Sequence, residues 1–285
     1  MGALEWTSRP DLRNPIMVAA FGRWTDAGGA ATAAAKYLAG ELGARQFAAV
    51  DAEEFYDFTS LRPEVRLRDD RSREIVWPVN RFLAASTSGP HDVVIVVGIE
   101  PHLRWRAFCG CLTTVAKLLQ VQAVFTLGVM LAEVAHTRAT PVRASTADPK
   151  LATRLGLQPP RYQGPTGIVG VLQDAFAQAG IPVGSLMAQV PHYVPGTPSP
   201  KATLAIVNRV CDLLKIRVAT AKLEVAARAY EREVNKVVEG DEDVARYVRQ
   251  IERRTDEILG QPGALPSGDA LAAELERFLR EQDGP

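Results

Sequence analysis

A chain of 285 residues, at roughly 150 residues per domain, leaves room for one large domain or two small ones. Apolar residues make up 47% and charged residues 23%, the balance of a chain that buries a full core, which excludes a disordered protein. Thirty-three basic side chains balance thirty-three acidic ones, so no net charge recruits nucleic acid or an anionic membrane.

The N-terminus, Met1-Gly-Ala-Leu-Glu-Trp6, lacks the basic-then-apolar order of a secretory signal, and Trp6 stands where a myristoylation signal has Ser or Thr. No apolar run approaches the ~18 residues of a membrane span. Pro15–Phe21 has strand length and leads through a glycine-rich turn into an Ala-rich helix, Asp26–Leu42. Gln46–Val50 is a second strand. Glu64–Arg68 and Arg73–Trp77 mix polar and apolar residues around Asp69–Ser72, the pattern of an antiparallel hairpin inserted at a sheet edge. Asp92–Gly98 and Gln122–Leu127 are strands again, with helices at Trp105–Leu119, Pro165–Ala179 and Ser199–Leu214. Short, wholly apolar runs alternating with helices predict a wound α/β fold with a buried, mostly parallel sheet.

Charge divides the chain at residue 216. Residues 217–285 carry 11 basic and 15 acidic side chains, about twice the charge density of residues 1–216. Two amphipathic stripes separated by Gly240 predict antiparallel helices over 217–259, the second capped by Asp241 or Asp243. A linker, residues 260–266, precedes a short helix over Ser267–Arg280. The expected domains are an α/β core, 1–216, and a C-terminal helical segment, 217–285.

Candidate chemistry gathers where strands end, because ligands of open α/β sheets bind at the carboxyl ends. Trp24 and Asp26 follow the first strand, with Asp26 read first as a helix cap. Glu100 leaves the Asp92–Gly98 strand just before Pro101. His136 and Arg138 follow the next strand and share the rim with Glu100. Imidazole, guanidinium and carboxylate together bind an anion or move a proton; they are equally what an inactive polar rim contains. Thr166 and Lys201 sit at two further helix starts. No metal is expected: the four histidines show no H-x3-H or H-E-x-x-H spacing, and three cysteines make neither a disulfide framework nor a four-Cys zinc site. No cofactor is expected either. The turn at Phe21–Gly29 is neither a P-loop nor a dinucleotide fingerprint, and no G-x-S-x-G elbow is present.

Several of these segments recur together in one family. Gly22-Arg-Trp-Thr-Asp-Ala-Gly28, Phe55-Tyr-Asp57, Arg62-Pro63, Gly98-Ile-Glu-Pro101 with Trp105 and Phe108, and His136-Thr-Arg138 stand in order. Gly164-Pro-Thr-Gly-Ile168, Pro191-His-Tyr193 and Pro198-Ser-Pro-Lys-Ala202 follow them. On these motifs the chain resembles the bacterial branch of the proteasome assembly chaperone 2 family over residues 15 to 215. The resemblance implies a three-layer α/β/α domain with a mostly parallel sheet of phosphorylase-like topology, and no established activity. Its eukaryotic and archaeal relatives assist assembly of the proteasome α-ring. Relatives that dock there often end in a hydrophobic-Tyr-x motif, whereas residues 280–285 read Arg-Glu-Gln-Asp-Gly-Pro. The usual prolines on either side of His-Thr-Arg are replaced by Ala135 and Ala139.

The expected role is a non-catalytic, cytoplasmic interaction protein, a homo-oligomer that assists assembly of a proteasome-type or other complex, with neither nucleic acid nor membrane as partner. The alternative is a small-molecule binder or enzyme using the rim, with an ATP-dependent carboligase ranked last because no phosphate-covering lysine loop can be placed. An exposed hairpin edge invites pairing. Val65, Leu67 and Trp77, with Phe55 and Tyr56 beside them, are therefore expected at a subunit interface. A trimer is expected from the phosphorylase-like resemblance alone.

Overall fold

In the computed structural model, which describes residues 3–259, the alternation of apolar runs and amphipathic stretches resolves into ten strands and seven α-helices among the described residues. The first half runs β1 (Leu4–Trp6), β2 (Ile16–Gly22), α1 (Ala30–Glu41), β3 (Arg45–Val50), β4 (Glu64–Leu67), β5 (Arg73–Val76), β6 (Asn80–Ala85), β7 (Val93–Ile99) and α2 (Trp105–Leu118). The second half runs β8 (Ala123–Ala132), β9 (Val142–Ser145), α3 (Pro149–Leu155), α4 (Ile168–Gln178), β10 (Val183–Pro191), α5 (Pro200–Leu214), α6 (Ala221–Glu239) and α7 (Glu242–Leu259).

Eight strands form one sheet in the order β1-β3-β6-β7-β2-β8-β10-β9. The middle four, β7, β2, β8 and β10, are parallel, and the flanking strands pair antiparallel. The parallel strands are apolar on both faces because both faces are covered. In β2, Ile16, Val18 and Ala20 join one core while Met17, Ala19 and Phe21 join the other, as the two-residue period of an extended chain requires. α1 and α5 pack on the first face; α2 and α4 pack on the second. This is the three-layer α/β/α fold expected. Small side chains on α1 (Ala30, Ala31, Ala34 and Ala35) let it lie close to the sheet.

The chain divides into two compact units, residues 1–235 and 236–285. Helix α6 begins in the first, and α7 belongs to the second, where the Asp241 carboxylate accepts from the N–H groups of Asp243 and Val244. The helix expected over 267–280 and the linker before it lie outside the described residues.

The hairpin β4–β5 has the antiparallel register Val65↔Ile75 and Leu67↔Arg73. It is a separate two-stranded sheet that is not hydrogen-bonded to the edge of the main one. Val65, Leu67, Ile75 and Trp77 are exposed, and Trp77 stacks edge-on against Phe58 with ring centroids 5.0 Å apart. Phe55 and Tyr56 are not on that surface. Both are buried in the core under α2, where Phe55 meets Phe108 edge-on and Tyr56 donates to the carbonyl of Ile99. Their place at an interface is corrected accordingly: aromatic bulk in the Phe55–Phe58 turn is used to seal the chain's own core.

Candidate functional site

The parallel strands β7, β2, β8 and β10 open their carboxyl ends on one side of the sheet. The loops after β2, β7 and β8 hold Trp24, Asp26, Glu100, His136 and Arg138, while Thr166 precedes α4 and Lys201 lies in the first turn of α5. Asp26 is buried in the loop after β2. A short 3-10 turn, Ala27–Gly29, separates it from α1, so it caps the helix from a distance. Its Oδ1 accepts from the N–H of Ala31 (2.7 Å), and its Oδ2 from the N–H (3.3 Å) and hydroxyl (2.6 Å) of Thr32. Burial raises its pKa above the ordinary carboxylate value of 3.8 despite these bonds. Gly28 makes the turn workable: φ is +62°, and a Cβ there would lie 2.5 Å from the carbonyl oxygen of Thr197.

Glu100 caps another helix. Its Oε1 accepts from the N–H of Ile168 at 2.6 Å, at the first residue of α4. Trp24, Glu100 and the Thr166–Gly167 segment meet here, since a Cβ on Gly167 would stand 2.7 Å from Glu100 Oε1 and 2.9 Å from Trp24 Cδ1. Trp24 itself is 70% exposed, and Thr166 faces solvent.

The second group forms after β8 and β10. His136 is 2% exposed, with both ring nitrogens engaged. Nε2 donates to Asn235 Oδ1 (2.8 Å), because an amide oxygen only accepts; Nδ1 then accepts from the Tyr193 hydroxyl (2.8 Å). The same hydroxyl accepts from the His136 N–H at 2.9 Å. Lys201, at the start of α5, donates to the His136 carbonyl (2.5 Å) and pairs with Glu231 of α6 at 2.6 Å. Arg138 is half-buried beside them, with Nη1 donating to the Thr137 hydroxyl at 3.2 Å.

The rim residues thus share one side of the sheet but fall into two groups of contacts, one around Trp24 and Glu100, the other around His136 and Lys201. Asp26, Glu100, His136 and Lys201 all hold elements of the fold together. Two surface recesses, of about 330 and 310 Å³, lie away from them: one where β3 begins and β6 ends, beside Arg45 and Ser86, the other beside Trp6 and Leu118. Among the described residues no group of three metal-ligating side chains occurs, and no helix is long and apolar enough to cross a membrane. Sequence reasoning missed Tyr193, Glu231 and Asn235, which close over the rim, and also Arg23 and His102, which meet across it at 2.8 Å.

The model of the PAC2 family matches residues 20–238. The chain belongs to the PAC2 family. Among solved structures, a PAC2 family protein from Streptomyces avermitilis is 46% identical, with a TM-score of 0.77 over 82% of this chain and 99% of that one. A proteasome-assembly chaperone homologue from Mycobacterium tuberculosis is 42% identical, with a TM-score of 0.74 over 82% and 99%. The archaeal proteasome activator PbaB of Pyrococcus furiosus has the PAC2 chain's fold at 19% identity, with a TM-score of 0.64 over 82% and 97%. No curated protein matches the chain.

Proposed function

We propose that this PAC2 chain is a non-catalytic interaction protein that assists assembly of a protein complex and works as a closed homo-oligomer. The observation that carries this reading is how the polar and apolar groups are used. Asp26, Glu100, His136 and Lys201, the groups a catalyst would need free, are taken up in helix caps and in fastening α6 to the core. Apolar side chains stand in solvent on the hairpin instead. A two-stranded ribbon is marginal alone, and β4–β5 presents Val65, Leu67, Ile75 and Trp77 uncovered. Its charges are balanced, with Arg66 beside Glu64 and Arg68 beside Glu74, so two copies of the ribbon do not repel. The kinship with a proteasome-assembly chaperone homologue from Mycobacterium tuberculosis supports a proteasome-type complex as the client.

The test joins oligomeric state to assembly. Light scattering should give a closed oligomer for wild type, a trimer on the phosphorylase-like analogy, and a monomer for Trp77→Asp. Wild type should speed assembly of proteasome-type subunits followed by native electrophoresis, and Trp77→Asp should not. A monomeric wild type ends the oligomer reading, and an unchanged assembly rate ends the assembly reading.

A further inference from the structure

His102 carries two contacts that one imidazole does not accept together. The N–H of Asp57 donates to Nδ1 at 3.1 Å, and Nη1 of Arg23 lies 2.8 Å from Nε2. A backbone N–H and a guanidinium both only donate, and a neutral imidazole accepts at one nitrogen alone; with Nδ1 taken by the Asp57 N–H, the ring proton falls on Nε2. Nε2–H and the guanidinium of Arg23 are therefore two donors brought within one hydrogen-bond length. Donors so placed attract a shared acceptor. His136 shows the contrast, with one nitrogen facing an acceptor and the other a hydroxyl that donates.

The arrangement is built, not incidental. The ring of Tyr56 stands edge-on against His102 with centroids 5.8 Å apart, and its hydroxyl is fixed between the Asn80 amide and the Ile99 carbonyl. Arg23 holds φ at +100°, a conformation non-glycine residues rarely adopt and one that concentrates at ligand sites. Among the described residues Arg23 forms no ion pair. The carboxylates close by are hydrogen-bonded elsewhere: Asp57, which also acts electrostatically on His102, accepts from the hydroxyls of Thr59 and Ser60, and Glu100 from Ile168.

Topology singles out the same spot independently. β2 and β7 are adjacent and parallel, yet the chain leaves β2 for α1 on one face and β7 for α2 on the other. The crevice between two such strands is where open α/β sheets bind ligands. Arg23 follows β2, and His102 follows β7.

We propose that Arg23 and His102 form a binding site for a small oxyanion, a carboxylate or phosphate group, in the crevice between β2 and β7. Guanidinium and imidazole N–H donate to its oxygens, and the exposed indole of Trp24, next in the chain, offers a flat apolar surface to the rest of the molecule that carries it. The site is independent of the assembly role, since it uses none of the hairpin.

The test is a nitrogen-resolved NMR titration of the full chain with inorganic phosphate or acetate at constant ionic strength, with chloride as control. Before any addition, His102 should be the Nε2–H tautomer. Phosphate or acetate should then shift its ring signals to saturation, and the anion that saturates at lower concentration identifies the group bound. Arg23→Gly removes the guanidinium and relieves the strained φ, so its melting temperature should hold or rise while anion affinity falls about tenfold or more. Arg23→Lys should recover part of that affinity. An Nδ1–H tautomer in wild type, a response no larger than that to chloride, or an Arg23→Gly chain that titrates like wild type overturns the site.

Discussion

Asp26 shows how one carboxylate is committed. Replacing it with Ala leaves the N–H groups of Ala31 and Thr32 and the Thr32 hydroxyl without an acceptor at the head of α1. We expect Asp26→Ala to cost about 1–2 kcal/mol in urea unfolding. The pH dependence follows from its raised pKa. A carboxyl that holds its proton more tightly in the folded state contributes most below the unfolded value of 3.8, and the contribution is lost as pH rises through the folded value. The difference between wild type and Asp26→Ala should therefore be larger near about pH 4 than near about pH 7. A difference that grows toward neutral pH would show that the hydrogen bonds outweigh burial. The helix-capping role of Asp26 is legible in the sequence, because a short polar residue before an Ala-rich stretch has few other uses. The partners of His136 and Lys201 are not: Asn235 lies 99 residues beyond His136, and Glu231 lies 30 beyond Lys201.

Among the elements, α6 is tied to the core by polar bonds as well as apolar ones. Tyr230 shares a hydrogen bond with Ser199, Ala227 and Val234 are buried, and Tyr37 donates to the Ala219 carbonyl just before the helix starts. The Lys201–Glu231 pair is the strongest candidate for a measurable coupling, since the two side chains are 17% and 36% exposed. A double-mutant cycle with Lys201→Met and Glu231→Gln should give about 1–2 kcal/mol, above a surface pair and below a fully buried one. A coupling below about 0.5 kcal/mol would place the pair with ordinary solvated ones. The sequence reveals β2 and β7 readily, because strands covered on both faces are apolar throughout. It hides β6, where Asn80 and Arg81 interrupt the apolar pattern and Arg81 faces solvent. It also hides β10, whose Gly184, Ser185 and Gln189 dilute the signal though most of the strand is buried.

At the scale of the whole molecule, the two helical layers share one sheet and should fail together. Cys109 of α2 and Cys211 of α5 report on opposite faces. Burial pushes the Cys109 thiol up to about 12 and the Cys211 thiol up to about 11, so neither forms the reactive thiolate near neutral pH. Pulse labelling along a urea series should expose both at one midpoint. Separate midpoints would mean that one layer peels away while the sheet stays intact. The buried parallel sheet is legible because its strands are apolar throughout, and the three layers follow from the family resemblance; the hairpin's independence is not legible, since alternation predicts pairing but not with which sheet.

That independence reaches beyond stability. β4–β5 begins after Pro63 and ends before Pro78, with a hydrogen-bond ladder of its own apart from the main sheet. Substitutions at Val65, Leu67 or Ile75 change what the molecule presents without disturbing the buried layers. Natural variation can therefore retune this surface from one lineage to the next while the scaffold stays fixed; on the proposed interface role, partner choice then diverges faster than the fold that carries it.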